Sequence, residues 1–199
     1  MRNKLIVKGL SAAILAFFVF ACSSQTPTQP VEPMVSEIYI PPSEPPEQAV
    51  MAFKNGNELY RIGMNEEAIT MFSTAIELYP NYHEALHDRG LIYFYTNKFD
   101  LAITDFNAAI KIKPNHADYL ISRSGAYLGK RNYQEFLDDI NTALRLEPDN
   151  ALALFYRGGY YFQTGNFDRA ITDLESAQRL EPELDTRDLI ESARQRRGY

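Results

Sequence analysis

Four prolines stand at one interval in this chain of 199 residues: Pro80, Pro114, Pro148 and Pro182, each 34 residues from the next. A fixed period of that length means an array of repeated supersecondary units, and it limits the fold before any other feature is weighed. Other residues keep the same beat. With repeats counted from Ala49, His83, Ala117 and Ala151, the eighth place holds Gly56, Gly90, Ser124 and Gly158. The eleventh holds Leu59, Tyr93, Tyr127 and Tyr161, and the twentieth Ala68, Ala102, Phe136 and Ala170. The twenty-fourth holds Phe72, Phe106, Ile140 and Leu174, and the twenty-seventh is alanine each time, at Ala75, Ala109, Ala143 and Ala177.

Each unit reads as two helices folded against each other. Small residues let the two backbones approach, and the larger apolar residues fill what remains. Proline ends the second helix because its ring clashes with the preceding turn and it lacks an N–H. One pair cannot cover its own apolar faces, so neighbouring pairs must stack. The ordered set of large residue, Gly, Tyr, Ala, Phe, Ala and Pro resembles the tetratricopeptide (TPR) family pattern, from about Ala49 to Leu184. The resemblance implies an all-α TPR solenoid of four helix-turn-helix repeats plus a C-terminal capping helix. The expected divisions are 47–82, 83–116, 117–150 and 151–184, with the cap over 185–199. In the cap, Leu189, Ile190 and Ala193 fall on one side and Arg187, Asp188, Glu191, Arg194 and Arg196 on the other, as suits a wet outer face. Arg194, Arg196 and Arg197 fit a favourable helix C-terminus. Phe136 stands where the other repeats have alanine, so it is expected to push its two helices apart and change the local curvature.

The first residues are of another kind. Arg2, Lys4 and Lys8 precede an apolar run from Leu10 to Ala21, which fits an export signal over 1–21 and is too short to span a bilayer. The run ends Val19-Phe20-Ala21-Cys22, which resembles the bacterial lipobox. That resemblance implies cleavage before Cys22, a lipid (palmitate) on it, and a place at the bacterial outer membrane, since Ser23 and Ser24 follow in place of Asp. Cys22 is the only cysteine, so the chain itself offers it no disulfide partner. Residues 22–46 then hold seven of the eleven prolines, among Ser, Thr, Gln and Glu. Such a stretch cannot bury a core, and it reaches on the order of 70 Å when extended, so it is expected to be a tether. One apolar patch, Val35 to Ile40, interrupts it and is expected to lie on the first helix or to dock elsewhere.

The formal charge is −6, and loss of the three signal-segment cations with no acid takes it to −9. A chain this acidic is a poor match for nucleic acid. One motif argues for chemistry. His83-Glu84-Ala85-Leu86-His87 matches H-E-x-x-H, in which two histidines one turn apart hold zinc and the glutamate activates water. The repeat accounts for the same residues, Tyr93 stands where a third histidine would be needed, and no strand pattern accompanies the helix. Gly125 to Lys130 falls one residue short of a phosphate loop. His116 is expected to be solvated in its turn, and Asp105, Asp138, Asp139 and Asp173 to form a solvated face. No catalytic residue, metal or cofactor is expected.

The TPR resemblance implies that the first helix of each pair lines an inner groove. Its lining would include Phe53, Asn57 and Tyr60 in the first repeat, and His87, Leu91, Phe94 and Tyr95 in the second. The third would supply Ile121 and Gly125, and the fourth Phe155, Gly159 and Phe162. Aromatic rings around missing side chains should form pockets for a protein or peptide partner. A carboxylate-clamp ligand of the kind some TPR proteins hold is excluded: only Asn57 matches, and Phe53, Asp88, Asp118 and Ser122 stand where the clamp pattern differs. The expected function is a membrane-anchored periplasmic adaptor. The alternatives are a small-ligand accessory of a transporter and a zinc hydrolase, and the exposed rings leave open a cover supplied by the tether or, in a homo-oligomer, by a second copy of the chain.

Overall fold

The computed structural model describes residues 44–198, so the export signal, Cys22, most of the tether and the Val35–Ile40 patch lie outside the described residues. Among the described residues there are nine helices and no strand. They run α1 Glu47–Arg61, α2 Asn65–Leu78, α3 His83–Tyr95, α4 Phe99–Ile112, α5 Ala117–Gly129, α6 Tyr133–Leu146, α7 Ala151–Gln163, α8 Phe167–Leu180 and α9 Arg187–Arg197. Consecutive helices pair as α1–α2, α3–α4, α5–α6 and α7–α8, successive pairs stack, and α9 packs on α8. The fold is an all-α TPR-type solenoid with a C-terminal helix. Each second helix stops two residues before its proline, at Leu78, Ile112, Leu146 and Leu180.

The turn inside each pair follows one design. The fifteenth place takes a left-handed backbone every time: Gly63 (φ 81°), Asn97 (φ 59°), Arg131 (φ 62°) and Gly165 (φ 78°). Two hydrogen bonds close it. In the third repeat, the Arg131 N–H donates to the Leu128 carbonyl at 2.9 Å and the Asn132 N–H donates to the Tyr127 carbonyl at 2.9 Å. This pair of bonds satisfies carbonyls that the helix end would otherwise leave orphaned. Arginine is the costly occupant, because its Cβ crowds the following carbonyl. Arg131→Gly should therefore raise stability by about 1 kcal/mol, seen as a higher denaturant midpoint. An unchanged midpoint would show that the turn stores no strain.

The close approach inside each pair is real. A Cβ on Gly90 would lie 2.7 Å from the Phe106 ring, and one on Gly56 would lie 2.7 Å from Phe72. Both phenylalanines are completely buried. The third repeat solves the same problem differently. The aromatic bulk sits one helical turn earlier, at Phe136, and the twenty-fourth place shrinks to Ile140, which leaves room for Ser124 where a glycine stood elsewhere. All three are fully buried, and the Ser124 hydroxyl donates to the Ile121 carbonyl at 2.6 Å. Around Phe136, α5 and α6 remain packed against each other, though less extensively than the helices of the other three pairs. The loosest seam lies instead between α6 and α7. Phe136 reaches across that seam to Tyr160, with ring centroids 5.5 Å apart.

The aspartates also depart from expectation. Asp138 is exposed, but Asp105, Asp139 and Asp173 are buried. Each lies at the twenty-third place and accepts a two-pronged bond from the arginine at the seventh place of its own repeat. Arg89 reaches Asp105 at 2.8 and 2.7 Å, Arg123 reaches Asp139 at 2.7 and 2.6 Å, and Arg157 reaches Asp173 at 2.7 and 2.9 Å. The remaining guanidinium nitrogen donates to the preceding repeat, to Ser73, Asn107 and Asn141 in turn. Bonding to the aspartate raises each guanidinium's pKa, so the charge is held. Two-pronged bonds of this kind are among the strongest a side chain makes. The series thus ties the two helices of a repeat together and ties that repeat to its neighbour. The cap completes it: Glu175, at the place of Ser73 and Asn107, accepts from Arg194 at 2.7 Å. Ile190 and Ala193 of α9 are buried against the last pair, and Arg197 reaches Asp168 at 3.1 Å.

Candidate functional site

The first helices of the second, third and fourth repeats line one pocket of about 270 Å³. From α3 come His87, Leu91, Phe94 and Tyr95; from α5 Asp118, Ile121, Ser122 and Gly125; from α7 Leu152 and Tyr156. Its mouth is apolar and open. Tyr95 is 65% exposed and Leu152 is 40% exposed, whereas Leu91, Phe155 and Tyr156, one turn away from them, are half-buried. Phe94 stands edge-on to Tyr95 at 5.2 Å, and its rim lies 3.3 Å from where a Gly125 side chain would begin. Gly125 is therefore the floor on which Phe94 rests. Burial first, and then the neighbouring Tyr95, push the Tyr156 phenol up, so it stays neutral and can donate into the pocket at physiological pH.

The expected groove residues divide into two sets. His87, Leu91, Phe94, Tyr95, Ile121 and Gly125 meet in this pocket. The others do not. Phe53 packs on Phe72 and Tyr82, at 5.7 and 4.9 Å, and Tyr60 joins the same first-repeat core, while Asn57 is half-buried on α1. Phe155 and Phe162 are half-buried against the cluster that holds Ile190 of the cap, and Phe162 also stacks edge-on with Phe167 at 5.9 Å. Arg196 covers the Phe162 ring at 5.1 Å. The cap helix thus covers Phe162 at the end of the fourth repeat, while Leu152 and Tyr156 of the same repeat stay in the pocket. Nothing lies within 4 Å of a side chain placed on Gly159, which is open space rather than an aromatic-walled pocket. Ser122 and Tyr156, both at the sixth place, were missed. Their signal was present: in an α-helix the sixth place precedes the ninth, held by Leu91 and Gly125, by three residues and so shares its face.

The histidines gather on one ring. Tyr119 stacks flat on His116 at 4.0 Å between ring centroids, and lies 4.7 Å from His87 and 5.9 Å from His83. His116 is thus packed on one face, not merely solvated. The His83 Nδ1 and the Tyr119 hydroxyl share a hydrogen bond of 2.8 Å, and the His87 Nε2 and the Ser122 hydroxyl share one of 2.9 Å. Burial lowers the His83 pKa and raises that of Tyr119, so both favour their neutral forms. The H-E-x-x-H segment is therefore the start of α3, with its imidazoles committed to α5. Among the described residues no group of three metal-ligating side chains is gathered.

Comparison with known proteins agrees with this architecture. Tetratricopeptide repeat patterns match residues 83–116 and 124–195, and a TPR repeat pattern matches 56–95. The chain is built of tetratricopeptide repeats in both sequence pattern and fold. A solved structure of MamA is similar over 76% of this chain and 84% of its own, with a TM-score of 0.68 at 21% identity. A tetratricopeptide repeat protein from Parabacteroides merdae covers 77% of this chain and 61% of its own, with a TM-score of 0.67 at 20% identity. The first TPR of Spaghetti (RPAP3), bound to the HSP90 peptide SRMEEVD, is 25% identical, with a TM-score of 0.52 over 53% of this chain and 84% of its own. No curated protein matches the chain.

Proposed function

We propose that the protein is an adaptor of the bacterial cell envelope, moored through a lipid on Cys22 to the periplasmic side of the outer membrane, that holds a segment of a partner protein between α3, α5 and α7. The observation that carries the groove is the exposed pair Tyr95 and Leu152 at the mouth of an apolar pocket. Exposed aromatic and aliphatic side chains beside a pocket are the usual anchors of a protein interface. The peptide-bound TPR neighbour supports the same use of the fold. The mooring rests on the apolar run Leu10 to Ala21 and the cysteine that ends it.

Two variants test the two halves separately. Tyr95→Ala combined with Leu152→Ala should weaken partner capture by crosslinking in intact cells roughly thirtyfold, the equivalent of about 2 kcal/mol, with helix content unchanged. Undiminished capture would remove the groove from the account. Cys22→Ala should abolish incorporation of labelled palmitate and release the protein from the membrane fraction. Label retained in that variant would remove the mooring.

A further inference from the structure

The groove continues past its apolar pocket into an acidic depression. Asp118 and Leu152 line both, and the second depression adds Glu147, Asp149 and Glu181. Neither lysine nor arginine lines it. Among the described residues, none of these four carboxylates is paired with a lysine or arginine: Asp118 has only His116 at 4.0 Å, and Glu147 only the Asn150 amide at 2.9 Å. Their situation contrasts with that of the three aspartates held by arginines within the fold. Nor does the repeat require acids there. Glu147 and Glu181 occupy the thirty-first place, which is Lys113 in the second repeat and Tyr79 in the first. Unneutralised like charges at one rim repel each other, and an incoming cation relieves that repulsion.

Resting on the groove reading, we infer that the segment held is cationic: an aromatic or aliphatic side chain enters the pocket by Tyr95 and Leu152, and lysines or arginines a few residues along meet Asp118, Glu147, Asp149 and Glu181. Charge complementarity decides the partner's chemistry. The acid-rich peptide of the Spaghetti (RPAP3) complex is of the wrong sign for this rim. The apolar anchor supplies affinity, and the rim supplies direction, since the chain must lie with its basic end toward the loops that follow α6 and α8.

The test is selection of random displayed peptides on the full-length chain at low salt, repeated with two variants. One carries Glu147→Lys, Asp149→Lys and Glu181→Lys, all exposed positions; the other carries Tyr95→Ala and Leu152→Ala. The wild type should enrich peptides in which an aromatic or aliphatic residue is followed by lysine or arginine. Rim reversal should weaken their binding at least about tenfold, and added salt should weaken binding to the wild type. Apolar peptides without basic residues, lost in the pocket variant and kept in the rim variant, would overturn this inference and leave the groove reading standing. No enrichment, or peptides kept by the pocket variant, would overturn both.

Discussion

Phe136→Ala should lower the unfolding free energy by about 3–5 kcal/mol, although it restores the residue that every other repeat carries at that place. Repeat arithmetic alone points the opposite way, since a return to the common residue usually stabilises. The structure reverses the sign. Phe136 is fully buried, and its ring fills the space between Ile140, Leu120 and Leu144 and the Tyr160 ring of the next repeat. Removing it leaves a cavity, because Ser124 and Ile140 remain at sizes suited to the aromatic's shifted position. Adding Ser124→Gly and Ile140→Phe to the same chain should recover most of the loss, since the three changes together rebuild the packing seen at Gly90 and Phe106. Chemical denaturation of the single and triple variants settles the matter. If the single variant is as stable as the parent, the third repeat does not hold its volume in the way described.

Asp139→Ala should cost about 3 kcal/mol, more than an ordinary surface acid, because it leaves the Arg123 guanidinium without its partner. The Arg123 side chain keeps 20% of its exposure and Asp139 9%, so some water reaches the charge and the cost falls at the low end for a buried pair. The loss should not be confined to the third repeat, as Arg123 also donates to Asn107 of the second at 2.6 Å. Replacing both partners with apolar residues, Arg123→Met with Asp139→Leu, should bring stability back to within about 1 kcal/mol of the parent. A double variant as unstable as the single one would show that the arginine's link to Asn107 matters more than its pair with the aspartate.

The two kinds of aspartate show where a linear reading stops. Asp138 and Asp139 are adjacent and chemically identical, yet one is exposed and the other buried under a guanidinium. The partners Arg89, Arg123 and Arg157 recur at 34 residues just as the prolines do, and each precedes its aspartate by 16, so the pairing had a visible periodic trace. Hydropathy hid it, because an ionised side chain reads as surface unless its counter-charge is known. Likewise Phe94 and Phe162 hold the same twelfth place of their repeats, but one lines the pocket and the other is covered by Arg196 of the cap.

Helix pairs, their length, their order and the close contacts at the eighth place follow from the 34-residue period, because a repeated local pattern folds into a repeated local shape whatever lies at its ends. The usable stretch of groove does not follow from it. That stretch depends on α9 covering Phe162, on Phe136 bridging to Tyr160 of the next repeat, and on which carboxylates find a guanidinium. Each of these is a contact between residues of different repeats, where packing and charge pairing depend on three-dimensional neighbours that a period along the chain does not specify.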